Sequence, residues 1–331
     1  MTITVAGSGA WGTALAVSLC THQHTTLLSH DPEKSAAMAL SRENPRLKGI
    51  RLPETLQLSG DPACVLGQDM VVIASPSFAI RSVCETLAPH LDDRTVLVCV
   101  TKGIENGTLK RMSQIVEEIT GHTVVSLTGP SHAEELARGI PTGCVAACPD
   151  KALAEIVQDA FMTPTFRIYT SPDIVGAELG GALKNVIALC AGVVDGMGYG
   201  DNTRAMLMTR GLTEIARLGV AMGACKDTLA GLSGVGDLIV TCTSMHSRNH
   251  RAGILLGQGR SVAQAMEEVG AVVEGYYATR SARELARSIG VEMPIIEAAY
   301  QVLYEGREAS EVVRQLLLRR KKAESEDAGW L

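Results

Sequence analysis

The sequence lacks the residue spacings that mark common metal sites and disulfide frameworks. Its nine cysteines are an odd number and include no Cys-x-x-Cys pair, and its eight histidines show no zinc-ligand spacing. It also shows no secretory leader and no long uncharged apolar run. We therefore expect a cytoplasmic protein with reduced thiols, no bound metal and no integral membrane segment.

Excess positive charge is also missing. The 30 Lys and Arg residues are outnumbered by 36 Asp and Glu residues, and the resulting net charge is −6. This balance argues against nucleic acid as a partner. A hydrophobic content of 46% and a mean hydropathy of +0.15 indicate a packed globular protein, and 331 residues suggest about two domains.

The two halves of the chain differ in their apolar patterns. Short apolar runs, separated by helical patterns or turns, occur only in the first half: ITVAG, TTLLS, MVVIAS, TVLVCVT, TVVSLTG, GCVAAC and FRIYT. Such runs predict an α/β domain over residues 1–185, with a mainly parallel sheet covered on both faces by helices. Helical patterns alone follow, so we predict an all-α domain over residues 186–331, joined through a helix that contains Lys184.

A glycine-rich loop, GSGAWG at residues 7–12, lies between the first predicted strand and a helix-like segment. This context and the spacing of Gly7, Gly9 and Gly12 are typical of a dinucleotide-binding loop. In such loops the first glycine permits a tight turn, the second lets a pyrophosphate approach, and the third allows close packing of helix and strand. A βα turn without a ligand is the alternative.

The end of the second predicted strand does not decide between NAD and NADP. An acidic residue about 20 residues after the loop usually binds the ribose hydroxyls of NAD. Here Ser29, His30 and Asp31 occupy that region, and Asp31 precedes a proline. Asp31 is therefore a ribose ligand or the N-cap of a helix, and His30 is a candidate contact for adenosine or a 2′-phosphate.

Polar residues follow several predicted strands, where ligands of open α/β sheets bind. Lys102 comes directly after VLVCVT, and Gly129-Pro130-Ser131 follows VVSLT. The alternative for Lys102 is a solvated loop position. We predict that Ser131 is a helix N-cap, at a helix end that is also suited to an anion.

The helical half contains two further candidates for chemistry. Lys184 lies in an apolar, glycine-containing segment, where a lysine either extends to the surface or is desolvated with a lowered pKa. Ser247, Arg248 and Asn249 precede a predicted helix, where a helix dipole, a guanidinium and an amide suit an anion. A surface loop capped by Ser247 is the alternative for that stretch.

Taken together, eight segments resemble the bacterial NAD(P)-dependent glycerol-3-phosphate dehydrogenase family, in order and over nearly the whole chain. They are GSGAWGTALA, TKGIE, GPSHAEE, ELGGALKNVIALCAGVVDG, TRGLTEIARLG, GLSGVGDLIVTCTSMHSRNHRAG, VVEGYYATRSARELA and VEMPIIEAAYQVLYEG. The resemblance implies a Rossmann-like first domain and interconversion of dihydroxyacetone phosphate and sn-glycerol 3-phosphate for phospholipid synthesis.

The resemblance also implies roles for individual residues. Expected contacts of the NAD or NADP cofactor are Gly7, Gly9, Ala10, Trp11, Gly12, His30, Lys102, Ala133, Arg248, Val272 and Glu274. Expected contacts of the substrate are Lys102, Gly129, Ser131, Lys184, Asp237, Ser247, Arg248 and Asn249. Ala10 stands where the family usually has serine, and His132 stands where it usually has phenylalanine.

Lys184 matches the proton-exchanging lysine of the family. A nearby cation, Lys102, is expected to lower its pKa, and Asp237 to orient it. Two rival functions remain at this stage: a two-domain dehydrogenase of hydroxy acids or sugar acids, and a non-catalytic NAD-sensing protein. The sequence is also compatible with a homodimer.

Overall fold

The computed structural model describes residues 1–321 and 323–324. Its first half contains one eight-stranded sheet with the strand order β3-β2-β1-β4-β5-β6-β7-β8. The strands are β1 Thr2–Ala6, β2 His24–Leu28, β3 Gln57–Ser59, β4 Met70–Ile73, β5 Val96–Cys99, β6 Val124–Thr128, β7 Thr142–Ala147 and β8 Phe166–Ser171.

The sheet is mainly parallel, as predicted. Strands β1 to β6 all run in one direction, β7 pairs antiparallel with β6, and β8 is parallel to β7. The seven apolar runs correspond to seven strands. The eighth, β3, has only three residues and none of them is fully buried, so it leaves no apolar run in the sequence.

Six helices accompany the sheet, and apolar cores lie on both of its faces. The helices are α1 Ala10–Leu19, α2 Pro32–Ser41, α3 Ile80–Leu87, α4 Met112–Thr120, α5 Ala133–Ala137 and α6 Lys151–Phe161. Because β1, β4, β5 and β6 are parallel, their carboxyl ends meet at one edge. The glycine loop and the segments after β4, β5 and β6 therefore share that edge.

The described residues after β8 are helical, as predicted. Their helices are α7 Ile174–Gly196, α8 Asp201–Ala221, α9 Lys226–Ala230, a π-helical turn Leu232–Gly236, α10 Asp237–Thr243, α11 Arg248–Gly257, α12 Val262–Val269, α13 Glu274–Ser288, α14 Pro294–Tyr304 and α15 Ala309–Leu317. Of the Ser247–Asn249 stretch, for which a surface loop was an alternative, Arg248 and Asn249 lie in the first turn of α11.

Helix α7 is the central element of the helical half. It has 23 residues and is long and apolar enough to cross a membrane by length and composition, yet 89% of its most apolar window is buried within the protein. We conclude that it is a core helix. It runs without a break through residue 185, so the domain boundary predicted there lies inside a helix and stays a prediction.

Glycines let α7 and α11 approach at backbone distance. A Cβ atom added at Gly192 would lie 2.0 Å from the carbonyl oxygen of His250, and one added at Gly253 would lie 2.0 Å from that of Leu189. Neither carbonyl can rotate away without disturbing its helix. This contact sets the position of the first turn of α11 relative to α7.

We expect Gly192→Ala to lower the free energy of unfolding by at least about 1–3 kcal/mol, because the added methyl group overpacks a backbone contact. Gly200→Ala is the matched control, since no heavy atom lies within 4 Å of its added Cβ. That variant loses at most a weak helix cap, about 1 kcal/mol. Urea unfolding of both variants tests this; equal stabilities would contradict the close contact.

Candidate active site

Of the three glycines in the glycine loop, only the middle one has space around it for a side chain. Gly7 has φ +134°, and its Cβ would lie 2.4 Å from the carbonyl oxygen of Ala74. A Cβ on Gly12 would lie 2.0 Å from the carbonyl oxygen of Gly7. At Gly9, by contrast, the added Cβ meets no heavy atom within 4 Å. The fold itself requires Gly7 and Gly12, whereas Gly9 leaves the loop backbone accessible, as a pyrophosphate needs.

Three buried polar atoms without hydrogen-bond partners lie near this edge. Buried side-chain polar atoms nearly always form hydrogen bonds. Among the described residues five do not: Trp11 Nε1, Ser75 Oγ, Thr128 Oγ1, His250 Nδ1 and Arg251 Nε. Trp11 is in the first turn of α1, Ser75 and Thr128 lie at the ends of β4 and β6, and the other two are on α11. The unpaired groups of Trp11, Ser75 and Thr128 fit a dinucleotide laid along the sheet edge.

The end of β2 offers no unengaged carboxylate. Asp31 caps α2, accepting hydrogen bonds from the backbone N–H groups of Glu33 at 3.1 Å and Lys34 at 3.2 Å. Its other oxygen pairs with Lys34 Nζ at 2.9 Å. Of the two interpretations of Asp31, the helix N-cap is the one observed. Ser29 is buried and accepts a 3.0 Å hydrogen bond from the hydroxyl of Ser8, while His30 is exposed.

Two lysines and an aspartate meet at the centre of the candidate site. Lys102 follows β5, Lys184 lies in the middle of α7, and Asp237 is the first residue of α10. Lys102 Nζ lies 2.6 Å from one carboxylate oxygen of Asp237, and Lys184 Nζ donates to the other. The Asp237 side chain is only 1% exposed. The structure therefore brings together the three residues for which catalytic roles were predicted.

The surroundings of Lys184 favour its neutral form more than water does. Burial lowers the pKa of Lys184 to about 8, the Asp237 carboxylate opposes this shift, and the charge of Lys102 adds to it. Lys184 Nζ also donates to the hydroxyl of Thr241 at 2.8 Å, and that hydroxyl donates to the Asp237 carbonyl oxygen at 2.6 Å. Thr241 was not among the predicted site residues, although it lies one helical turn after Asp237.

The segment after β6 contacts this centre directly. The carbonyl oxygen of Gly129 accepts hydrogen bonds from Lys102 Nζ at 3.1 Å and from the Ser131 hydroxyl at 2.9 Å. The prediction of Ser131 as a helix N-cap is wrong, because His132 holds the N-cap position of α5 and caps it with no side-chain hydrogen bond. The Ser131 hydroxyl turns back to its own loop instead. Ala133, a predicted cofactor contact, opens α5 and is buried.

Ser247 caps α11, as predicted, by accepting a 3.2 Å hydrogen bond from the backbone N–H of His250. Asn249 is buried; its amide donates to Asn185 Oδ1 at 3.0 Å and accepts from the backbone N–H of Gly275 at 2.8 Å. It therefore joins three helices, and Asn185 was missed as its partner on α7.

Arg248 differs from Asn249, its neighbour on α11. It keeps an exposed face, and none of its guanidinium nitrogens has a hydrogen bond or ion pair within the described part of the chain. It is the one side chain of the Ser247–Asn249 cluster left free to bind an anion.

Glu274, the first residue of α13, links the helical half to the sheet edge. Its carboxylate accepts the hydroxyl of Ser77 at 2.5 Å and the backbone N–H of Ser77 at 3.3 Å. Burial raises the pKa of Glu274, and these hydrogen bonds oppose the shift. Val272 lies half-buried just before α13. Ser77, the partner of Glu274, was not among the residues predicted from the sequence.

Comparison with known proteins decides the family. The family model for the N-terminus of NAD-dependent glycerol-3-phosphate dehydrogenase matches residues 2–154, and the model for its C-terminus matches residues 173–314. The chain belongs to the NAD-dependent glycerol-3-phosphate dehydrogenase family. The resemblance inferred from the eight sequence segments is thereby confirmed.

Individual glycerol-3-phosphate dehydrogenases agree with this assignment. The chain is 53% identical to glycerol-3-phosphate dehydrogenase [NAD(P)+] of Moorella thermoacetica over 99% of both chains. It is 50% identical to that of Desulfitobacterium hafniense over 99% of this chain and 94% of the relative. The crystal structure of glycerol-3-phosphate dehydrogenase from Coxiella burnetii superposes with a TM-score of 0.93 at 35% identity, covering 96% of this chain and 99% of the other.

Gly9→Val tests the dinucleotide loop. We expect a folded protein, because space is open around the added side chain, and a strongly raised Kd for NADH and NADPH, because the side chain occupies the path of the pyrophosphate. Gly9→Ala provides an intermediate degree of crowding. Fluorescence titration with both nucleotides gives the affinities. Unchanged affinities in the valine variant would show that the loop is not part of the nucleotide-binding site.

Proposed function

We propose that this protein catalyses the NAD(P)H-dependent reduction of dihydroxyacetone phosphate to sn-glycerol 3-phosphate, a precursor of phospholipids. Family membership supports the reaction. The observation that carries the mechanism is the buried contact of Lys184, Lys102 and Asp237 at the sheet edge. A cytoplasmic location and a homodimer remain expectations that accompany this proposal.

In this proposal, reduction of the ketone requires a proton at the substrate oxygen, and a bound nicotinamide would supply the hydride. Lys184 is the proton donor: its ammonium polarises the carbonyl and then releases a proton from Nζ. Asp237 orients Nζ through its carboxylate, and Lys102 adds positive charge near the developing oxyanion. In the reverse reaction, neutral Lys184 accepts the alcohol proton.

The substrate phosphate is assigned to the start of α11. Arg248 forms no hydrogen bond or close ion pair with the described residues, although the charges of Glu274 and Glu134 oppose the lowering of its pKa by burial. The first N–H groups of α11 face the same end. A charge-assisted contact with a dianion is strong, and its binding energy serves to orient the ketone at Lys184. The carbonyl oxygen of Gly129 accepts hydrogen bonds from both Lys102 and Ser131, so we assign these residues to the wall of the same substrate site.

An assay of substrate choice distinguishes this proposal from the two rivals. NADH and NADPH oxidation is followed with dihydroxyacetone phosphate, dihydroxyacetone and a set of 2-oxo acids. We expect turnover of dihydroxyacetone phosphate, very slow turnover of dihydroxyacetone and no turnover of the oxo acids. Preferential turnover of an oxo acid would indicate a hydroxy-acid dehydrogenase, and binding of nucleotide without turnover of any ketone would indicate a sensor.

Lys184→Met removes the transferable proton and keeps an apolar side chain of similar length. We expect kcat to fall by about two to four orders of magnitude, the usual effect of losing a positioned acid, with Kd for the nucleotide nearly unchanged. Lys184→Arg is the matched control, because it retains a cation that does not release its proton at these pH values. Near-normal turnover of the methionine variant would exclude Lys184 as the acid.

The lowered pKa of Lys184, about 8, predicts opposite pH profiles for the two directions. Oxidation needs the neutral amine, so its rate is expected to rise as pH increases through about 8. Reduction needs the ammonium, so its rate is expected to fall over the same interval. Initial rates from pH 6.5 to 9.5 check this, and two profiles with the same direction of change would contradict the assignment.

Arg248→Ala is expected to cost about 1.5–3 kcal/mol in kcat/KM for dihydroxyacetone phosphate, because a charged hydrogen-bonding partner of the phosphate is lost. Dihydroxyacetone, which has no phosphate, serves as the internal control and is expected to react equally poorly with both enzymes. If the variant loses the same factor with both ketones, Arg248 does not bind the substrate phosphate.

A further inference from the structure

His132 is a half-buried residue beside the candidate site for which the proposed mechanism has no role. It follows Ser131 directly and is the N-cap residue of α5, but its side chain does not cap that helix. It also stands where the family usually has phenylalanine. The nitrogens of its imidazole are therefore a feature of this chain that the family pattern does not explain.

The imidazole of His132 reaches the end of α10. Its Nε2 lies 3.3 Å from the carbonyl oxygen of Val240. Since a carbonyl oxygen only accepts hydrogen bonds, Nε2 carries a proton in this contact. Val240 is among the last four residues of α10, and the carbonyl groups of such residues have no partner within their own helix. His132 therefore supplies a donor that the end of α10 lacks.

The ring of His132 also packs against the turn between α10 and α11. The ring centroids of His132 and His246 are 5.6 Å apart and the rings are tilted by 52°, a geometry typical of favourable aromatic contacts. His246 lies in a turn in which the backbone N–H of Ser247 donates to the carbonyl oxygen of Ser244 at 3.1 Å. Arg248 follows this turn as the first residue of α11.

His132 makes both contacts as a neutral ring. Burial lowers its pKa, and the charges of Lys184 on α7 and of His246 add to the shift. The hydrogen bond to Val240 and the charge of Glu135 on α5 oppose it. The ordinary pKa of histidine is about 6.5, so His132 is neutral at pH 7 and above and adds no cation beside Lys184.

The two helices that His132 contacts hold proposed reactive groups. Helix α10 begins with Asp237, the orienting carboxylate, and α11 begins with Arg248, the proposed phosphate ligand. Three residues before His132, the carbonyl oxygen of Gly129 accepts a hydrogen bond from Lys102, which pairs with Asp237. The segment after β6 is thus linked to both ends of α10, to its start through Lys102 and to its end through His132.

We propose that His132 is a positioning residue for the reduction, and that its donor group and its ring act on different parts of the site. The Nε2–H group holds α10, and through it Asp237, in the alignment that orients Lys184. The ring holds the turn that contains His246, and through it Arg248, at the substrate site. The proposal rests on the proposed function, because it adds to the roles of Asp237 and Arg248 in that reaction.

Three substitutions separate the two actions of His132. His132→Phe keeps a ring and removes the donor, His132→Gln keeps a donor and removes the ring, and His132→Ala removes both. We expect His132→Phe to lower kcat for dihydroxyacetone phosphate about threefold to tenfold, the effect of one neutral hydrogen bond, with KM within about twofold of wild type. We expect His132→Gln to raise KM about threefold to tenfold through the lost ring contact, with kcat within about twofold. His132→Ala is expected to show both changes.

Titration of Lys184 by 13C NMR follows the effect on α10 without any substrate. If α10 shifts, the carboxylate of Asp237 opposes the lowered pKa of Lys184 less effectively. We therefore expect the pKa of Lys184 to fall further in His132→Phe and His132→Ala, and to keep the wild-type value in His132→Gln. A wild-type enzyme that does not reduce dihydroxyacetone phosphate would refute the proposed function, whereas this titration would still test the role of His132.

His122→Phe is the matched control. His122 lies just before β6, at the opposite end of that strand from His132; it is also half-buried, and its Nε2 lies 3.1 Å from the carbonyl oxygen of Asp92. This variant is expected to leave kcat, KM and the pKa of Lys184 as in wild type. A His132→Phe enzyme with wild-type kcat and an unchanged pKa of Lys184 would overturn the proposal. The same combined change of kcat and KM in all three His132 variants would also overturn it, because it would indicate a purely structural role.

Discussion

A carboxylate buried between two ammonium groups is the interaction on which the rest of the site depends. Asp237 is almost completely removed from water, and a buried charge without a partner costs several kcal/mol. Its partners come from different parts of the fold: Lys102 from the sheet edge and Lys184 from the central helix. The contact therefore joins the two halves of the chain and simultaneously aligns the groups proposed for catalysis.

The packing of α7 makes this arrangement possible. Close glycine contacts bring α11 and the π-helical turn against it, so that Lys184 meets Asp237, and the adjacent Asn185 meets Asn249 of α11. Glu178, one end of another link between the halves, accepts hydrogen bonds from the backbone and the hydroxyl of Ser113 at the start of α4. Rigid packing of this kind holds polar side chains in the geometry that proton transfer needs.

The sequence predicted those features that depend on interactions between residues close together in the chain. The glycine loop, the apolar strands and the exceptional Lys184 in an apolar helix were all recognisable. Contacts between distant segments were not: Thr241 and Asn185 meet their partners only through helix packing. The error at Ser131 has a local cause, since a chain that turns one residue later places His132 at the N-cap.

Titration of Lys184 itself tests the central claim most directly. The side-chain amine is observed by NMR of the protein labelled with 13C at the lysine ε-carbons, with Lys184→Arg used to assign the signal. We predict a pKa near 8, a lower value in Asp237→Asn because the opposing carboxylate charge is gone, and a higher value in Lys102→Met. A signal that titrates near 10.5, the ordinary lysine value, and does not respond to either substitution would contradict the account.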